Sequence, residues 1–93
     1  MFSGGSYDEV ARWLQNFLTS HAKRENVRVE VELETGDDRE GKYGARLRFG
    51  ERLTSTMEFD FGEVAQNRGS LAWCAALAER TRAAVRDLIA TAA

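Results

Sequence analysis

The sequence predicts an α+β fold of order α-β-β-β-α, in which a three-stranded antiparallel meander sheet has two helices packed on one face. Three observations lead to this prediction: a helical apolar repeat in the first quarter of the chain, three successive runs of alternating apolar and polar residues, and a final segment almost free of helix breakers. The 93 residues are 43% hydrophobic and 30% charged, which is typical of one small globular domain spanning 1–93.

The first helix is predicted over residues 7–24 and begins with a capping box. Ser6 precedes Glu9 by three residues, so its hydroxyl can accept from the amide of Glu9 while the carboxylate returns to residue 6. Apolar side chains then recur at helical spacing as far as His21, which is expected to favour the protonated form near the helix end. Asn26 is expected to end the helix in the left-handed conformation.

Three strands are predicted over 27–34, 43–49 and 53–61. Apolar residues stand at odd positions in each run, which indicates strands with one dry face. Directly opposed residues of an antiparallel pair share a face, so this parity determines the register. The expected pairs are Val31 with Leu47, Glu32 with Arg46, Glu30 with Arg48, Phe49 with Leu53, Ala45 with Met57 and Lys42 with Asp60.

The turn between the second and third strands has two possible forms. A three-residue loop over 50–52 keeps every apolar side chain on one face. Gly50 and Glu51 also suit a two-residue type II′ turn, because glycine favours its first central position. That turn would oppose Phe49 and Arg52, and it needs a bulge to restore the parity.

The last helix is predicted from Leu71 to about Thr91, with Ser70 as its cap. Whether residues 63–67 add a helical turn before it stays open at this stage. The side of the last helix that faces the sheet, its inner arc, is expected to consist of Leu71, Cys74, Ala78, Thr81, Val85, Leu88 and Ile89.

Charge and composition exclude several classes of function. A net charge of −2 and a pI of about 5.4 argue against a general nucleic-acid binder, which normally has a strongly basic face. One cysteine permits no internal disulfide, which fits a reducing compartment. Residues 1–5 show no secretory signal, and no apolar run approaches the roughly 20 residues of a membrane span. We therefore expect a cytoplasmic protein with no membrane segment.

The sequence predicts no catalytic, cofactor-binding or metal-ligating residue, and we expect the protein not to be an enzyme. The common phosphate-, zinc- and serine-hydrolase motifs are absent. Cys74 and His21 both point toward the sheet, but no third residue orients them as a nucleophile and its base. The acidic loop over 35–42 is too short for a calcium site and contains Arg39, so it is interpreted as a solvated turn.

The element order is similar to that of the double-stranded RNA-binding domain. That family holds phosphates with a lysine-rich cluster at the start of its second helix, where this chain has residues 67–73 with Arg68 as the single cation. No functional residue is carried over. The resemblance implies an alternative function, an atypical nucleic-acid-binding domain. The order, size and acidity also resemble secretion-chaperone-like proteins, which are usually dimers.

The two tryptophans are the candidate functional residues. Trp13 and Trp73 each lie on the flank of their helix, where they either fill the seam between the helices or anchor an interface. The predicted function is a non-catalytic protein–protein interaction module acting as a homodimer, with any other protein partner unknown. It would associate through this flank or through an open edge strand, 27–34 or 53–61. The interface candidates are Trp13, Phe17, Trp73 and Leu77.

Overall fold

The computed structural model describes residues 6–36 and 40–92 and confirms the predicted α+β class. Residues 1–5, on which the absence of a secretory signal was argued, and residues 37–39 of the acidic loop lie outside the described residues. The elements are α1 (Tyr7–Glu25), β1 (Glu30–Glu34), β2 (Lys42–Phe49), β3 (Arg52–Leu53), β4 (Met57–Asp60), α2 (Phe61–Asn67) and α3 (Leu71–Ala92).

Helix α1 begins at the predicted cap and ends differently from the prediction. The Ser6 hydroxyl accepts from the Glu9 amide at 3.2 Å. Asn26 is extended, with a φ of −158°, so its expected left-handed conformation is wrong. Its side-chain oxygen accepts from the amide of Arg28 at 2.9 Å and so starts the turn into β1. The helix buries one row of side chains completely: Val10, Leu14, Leu18 and Ala22.

The sheet is three strands wide, because β3 and β4 follow one another along the same edge of β2 while β1 pairs with the other edge. Strand β1 is shorter than predicted. Val27 lies in a turn and is 74% exposed, whereas Val29 is fully buried. Five predicted pairs are confirmed: Val31 with Leu47, Glu32 with Arg46, Glu30 with Arg48, Ala45 with Met57 and Lys42 with Asp60.

The predicted pairing of Phe49 with Leu53 is wrong. Phe49 lies opposite Arg52 across a two-residue turn, in which Gly50 has a φ of 64°. Glycine adopts this conformation without the steric cost that a Cβ imposes. Residues 54–56, between β3 and β4, absorb the resulting one-residue shift, so β4 returns to the register that the parity predicted.

Helices α1 and α3 cover the face of the sheet that carries the odd-numbered side chains. They run parallel, because Trp13 lies beside Trp73 near their starts and Glu25 bonds to Arg86 near the end of α1. The sheet residues buried beneath them include Tyr43, Ala45, Leu47 and Phe59.

The start of α3 differs from the predicted inner arc. Leu71 is 89% exposed, and Leu77, which the predicted arc omitted, is 5% exposed. Trp73 packs against the core at this end of the helix, and Leu77 follows one turn later on the same side. The later part of the arc is confirmed as buried: Thr81, Val85 and Leu88.

The structure resolves the open question about residues 63–67, which are helical and belong to α2. The Asp60 side chain caps this short helix by accepting from the Glu63 amide at 3.3 Å. The predicted cap of α3 is also present, since the Ser70 hydroxyl accepts from the Trp73 amide at 3.3 Å.

Candidate interaction surface

Three of the four predicted interface residues form an aromatic cluster between α1 and α3. The rings of Trp13 and Phe17 stack with centroids 5.0 Å apart, and those of Trp13 and Trp73 are 6.4 Å apart. All three side chains pack on the core but are only partly buried. The cluster thus fills the seam between the helices and still presents apolar surface at its outer side.

The fourth predicted residue, Leu77, is placed in the core, so little of its side chain is left for a partner. Leu71 is the opposite case, since it stands exposed on the first turn of α3. Leu71 precedes Trp73 by two residues, so it lies on the same turn of α3 while its side chain points to a different side of the helix. Helical periodicity alone had assigned Leu71 to the inner arc, which is why the sequence missed it as a surface residue. We call Trp13, Phe17, Trp73 and Leu71 the apolar seam.

Toward the C-terminal ends of the helices the same surface becomes charged. Arg86 donates to Glu25 and to Glu79, each at 3.0 Å, and Arg82 donates to Glu79 at 2.9 Å. Hydrogen bonds from Arg82 and Arg86 lower the pKa of Glu79, and the bond to Glu79 raises the pKa of Arg86. These exposed pairs mark the polar boundary of the apolar seam.

His21 lies where the apolar part of this surface meets the charged part. Its ring centroid is 4.5 Å from that of Phe17, and its Nδ1 is buried with no hydrogen-bond partner among the described residues. Burial lowers the pKa of His21, and the positive charges of Arg24 and Arg82 lower it further. The expectation that His21 favours the protonated form is therefore wrong, because its neighbours are cations and apolar rings.

The structure does not bring Cys74 and His21 together. Arg82, whose charge acts on His21, lies about 12 Å further along α3 than Cys74. The Cys74 thiol instead contacts the carbonyl of Arg68 at 3.5 Å. Within residues 6–36 and 40–92, no three His, Cys, Asp or Glu side chains are grouped so that they could hold a metal ion.

The outer face of the sheet carries ion pairs. Arg46 bonds to Glu34 at 3.0 Å and lies 3.6 Å from Glu32, while Arg48 lies 3.3 Å from Glu32. The closest pairs are therefore diagonal neighbours rather than the directly opposed residues. Partly exposed pairs of this kind contribute about 0–1 kcal/mol each, so this face is best described as a solvated polar surface.

The free edge of β1 is partly covered by α1. Gln15 Nε2 donates to the carbonyl of Val31 at 3.0 Å, and Lys23 Nζ donates to the carbonyl of Val27 at 2.9 Å. The first bond occupies a backbone acceptor on the side of β1 where a further strand would pair, and the second occupies one in the turn before β1. Of the surfaces that the sequence singled out, the apolar seam is thus better suited to association than the β1 edge.

No helix in the described part of the chain is both long and apolar enough to cross a bilayer. No protein-family model, curated protein or solved structure matches this chain. The fold and surface define a small α+β domain with an apolar seam between parallel helices, and the functional argument depends on the chemistry of that seam.

Proposed function

We propose that this protein is a non-catalytic protein–protein interaction module that forms a homodimer through the apolar seam. The observation that carries the proposal is Leu71, which is 89% exposed on the same turn of α3 as Trp73, a partly exposed residue that packs beside Trp13. Tryptophan is enriched among the residues that dominate interface energies. Removing a leucine side chain from water contributes about 1.5–3 kcal/mol, and a symmetric dimer gains this twice.

A two-fold arrangement uses the same patch on both copies. Ala72 and Ala75 are exposed on the same first turns of α3 as Leu71, and their small side chains allow a second helix to approach closely. The charged pairs around Glu79 and Arg86 would then form the polar rim that interfaces usually have. A standard interface needs about 800 Å² from each partner, which is roughly one seventh of the 5730 Å² of accessible surface.

Sedimentation equilibrium tests the proposal with two matched variants. We expect the unmodified chain to dimerise as its concentration rises through the micromolar range and Leu71→Lys to remain monomeric. Leu53→Lys is the control, because Leu53 is also an exposed leucine but lies on β3, away from the apolar seam. Circular dichroism checks that each variant is folded. A monomeric unmodified chain, or equal dimer affinity for Leu71→Lys, would contradict the proposal.

A reducing, cytoplasmic location belongs to the same proposal. Cys74 is the single cysteine and is free, whereas small secreted domains usually depend on disulfides for stability. Fractionation of cells that express the tagged chain tests the location, and recovery of the chain mainly outside the cytoplasm would contradict it.

The alternative function, nucleic-acid binding, is supported by the arrangement of two parallel helices on one face of an antiparallel sheet. Residues 67–73 at the start of α3 contain one cation, Arg68, while phosphate binding draws its affinity from several. A gel-shift titration with duplex RNA at low salt separates the two functions. Binding that weakens steeply with added salt would favour this alternative over the interaction module.

A further inference from the structure

Two cavities open on the side of α3 opposite Arg82 and Arg86. One has a volume of about 150 Å³ and is lined by Phe59, Trp73 and Leu77 among others. The other, of about 430 Å³, is lined by residues that include Leu53, Met57 and Leu88. Leu77 and Leu88 are three helical turns apart, roughly 16 Å. The two cavities therefore form one interrupted groove between α3 and the edge strand made by β3 and β4, which we call the edge groove.

The edge groove exists because the helices cover more width than the sheet supplies. Three strands span about 14 Å at their usual spacing, whereas two helices packed side by side cover about 20 Å. The difference between these two widths is about one strand spacing. This uncovered space lies under the outer side of α3, beside β3 and β4. An extended segment fits this width better than a second helix.

The smaller cavity has two carboxylates in its lining, Glu58 and Glu63, and the larger has one, Asp87. Glu63 and Asp87 form no ion pair within residues 6–36 and 40–92. Arg80 also lines the smaller cavity, where its guanidinium stacks over the ring of Phe59, 5.7 Å from the centroid. Each cavity therefore combines apolar side chains with a net charge of −1 in its lining, from Glu58, Glu63 and Arg80 in the smaller cavity and from Asp87 in the larger.

We propose that the edge groove binds an extended basic segment of a partner protein. Two apolar side chains four residues apart enter the two cavities, since this spacing keeps both on one side of an extended chain and spans about 13 Å. A lysine or arginine beside each apolar residue lies next to Glu63 or Asp87. The edge groove shares Trp73 with the apolar seam, while the other lining residues of both cavities lie outside the seam, and the binding does not require the dimer.

Nuclear magnetic resonance titration with the blocked peptide KLTSTLK tests the proposal on the isotopically labelled full chain. We expect the amide shifts to change along residues 53–59 and 73–91. The charge-reversed peptide ELTSTLE is expected to bind at least about tenfold more weakly. The peptide KTTSTTK, which keeps the charges and lacks the apolar side chains, is expected to lose binding.

A pair of matched double variants tests the two carboxylates. Glu63→Lys with Asp87→Lys is expected to weaken KLTSTLK binding at least about tenfold. The control, Glu40→Lys with Glu51→Lys, makes the same change of charge at two exposed turn positions outside the cavity linings, and it should bind like the unmodified chain.

Several results would overturn the proposal. They are an absence of KLTSTLK binding, equal affinities for KLTSTLK and ELTSTLE, unchanged binding by the double variant at Glu63 and Asp87, and shifts confined to Trp13, Phe17 and Leu71. Amide shifts of edge-groove residues that change with protein concentration in the absence of peptide would identify a second copy as the occupant. This result would also overturn the proposal. Sedimentation of Leu71→Lys reports on the dimer separately, so failure of one proposal is distinguishable from failure of the other.

Discussion

The hydroxyl of Thr54 takes the place of a backbone carbonyl opposite Leu47. The Leu47 amide donates to Thr54 Oγ1 at 3.0 Å, and the Thr54 amide donates to the Leu47 carbonyl, also at 3.0 Å. These two hydrogen bonds lie where the two-residue turn has shifted the edge strand by one residue relative to β2. Thr54 therefore satisfies the backbone of β2 at the irregularity between β3 and β4.

Replacing Thr54 with valine is expected to lower the free energy of unfolding by about 1–3 kcal/mol, because a partly buried amide loses its acceptor. Valine keeps the size and β-branching of threonine, so the change is mainly the loss of the hydroxyl. Urea denaturation measures it. Thr56→Val is the control, since Thr56 is exposed in the same segment. Equal stability of the two variants would show that the Thr54 hydroxyl does not support the bulge.

The opposite environments of Leu71 and Leu77 give a second prediction. Leu77→Ala removes a buried side chain and is expected to cost about 2–5 kcal/mol in unfolding free energy. Leu71→Ala alters an 89% exposed side chain and is expected to stay within about 0.5 kcal/mol. Denaturation at low protein concentration keeps self-association out of the comparison. Similar losses for both would show that Leu71 is buried.

Tyr7 and Tyr43 connect the start of α1 to the sheet and the β1–β2 loop. Their rings stack with centroids 4.6 Å apart, and the Tyr43 hydroxyl donates to the Tyr7 carbonyl at 2.8 Å. The Tyr7 hydroxyl donates to the Lys42 carbonyl at 2.6 Å and accepts from the Gly36 amide at 3.2 Å. Burial raises the pKa of Tyr43 from 10.0 to about 12, with smaller contributions from Tyr7 and Asp8.

The raised pKa of Tyr43 predicts a loss of stability at alkaline pH. As the pH rises, the unfolded chain releases the Tyr43 hydroxyl proton before the folded chain does. The contribution of Tyr43 to the free energy of unfolding is therefore fully present below pH 10 and is lost as the pH rises from 10 to about 12. Tyr43→Phe should remove this part of the pH dependence and cost about 0.5–1.5 kcal/mol at neutral pH through the lost hydrogen bond.

Ultraviolet absorbance of tyrosinate checks the alkaline prediction, because the chain has only two tyrosines. In Tyr7→Phe the remaining group, Tyr43, should still ionise above pH 10 in the folded protein. A titration of that variant at the ordinary tyrosine pKa would contradict the prediction.

His21 predicts a loss of stability on the acidic side. Its folded pKa lies below 6.5, mainly through burial, so the unfolded chain takes up a proton first as the pH falls. The contribution of His21 to the free energy of unfolding is therefore fully present above pH 6.5. It is lost as the pH falls from 6.5 through the folded pKa. His21→Gln should make the urea midpoint less dependent on pH in this window.

Proton resonances of the imidazole give a direct check on His21, since it is the only histidine. Arg82→Gln removes one of the two nearby positive charges and should raise the folded pKa toward 6.5. A folded pKa of His21 at or above 6.5 in the unmodified chain would contradict the proposed cause of the acid sensitivity.

The regular parts of this protein could be derived from the sequence because their signals are local. The cap at Ser6, the cap at Ser70 and the alternation in the strands each involve residues a few positions apart. The alternation also determined most of the register, since a shift by one residue would expose the whole dry face. It favoured the wrong turn at Gly50, because the three-residue form keeps the parity by itself, whereas the observed two-residue form needs the irregularity at residues 54–56 to restore it.

Contacts between residues that are far apart in the sequence determined the features that the sequence did not predict. Trp73, packed beside Trp13 on the neighbouring helix, sets the rotation of α3, which buries Leu77 and leaves Leu71 in solvent. The same parallel packing places His21 beside Arg82 and makes its neutral form favourable. Periodicity reports which side of a helix is apolar, but the neighbouring elements determine how far that side is covered. The apolar seam and the edge groove are consequences of that coverage.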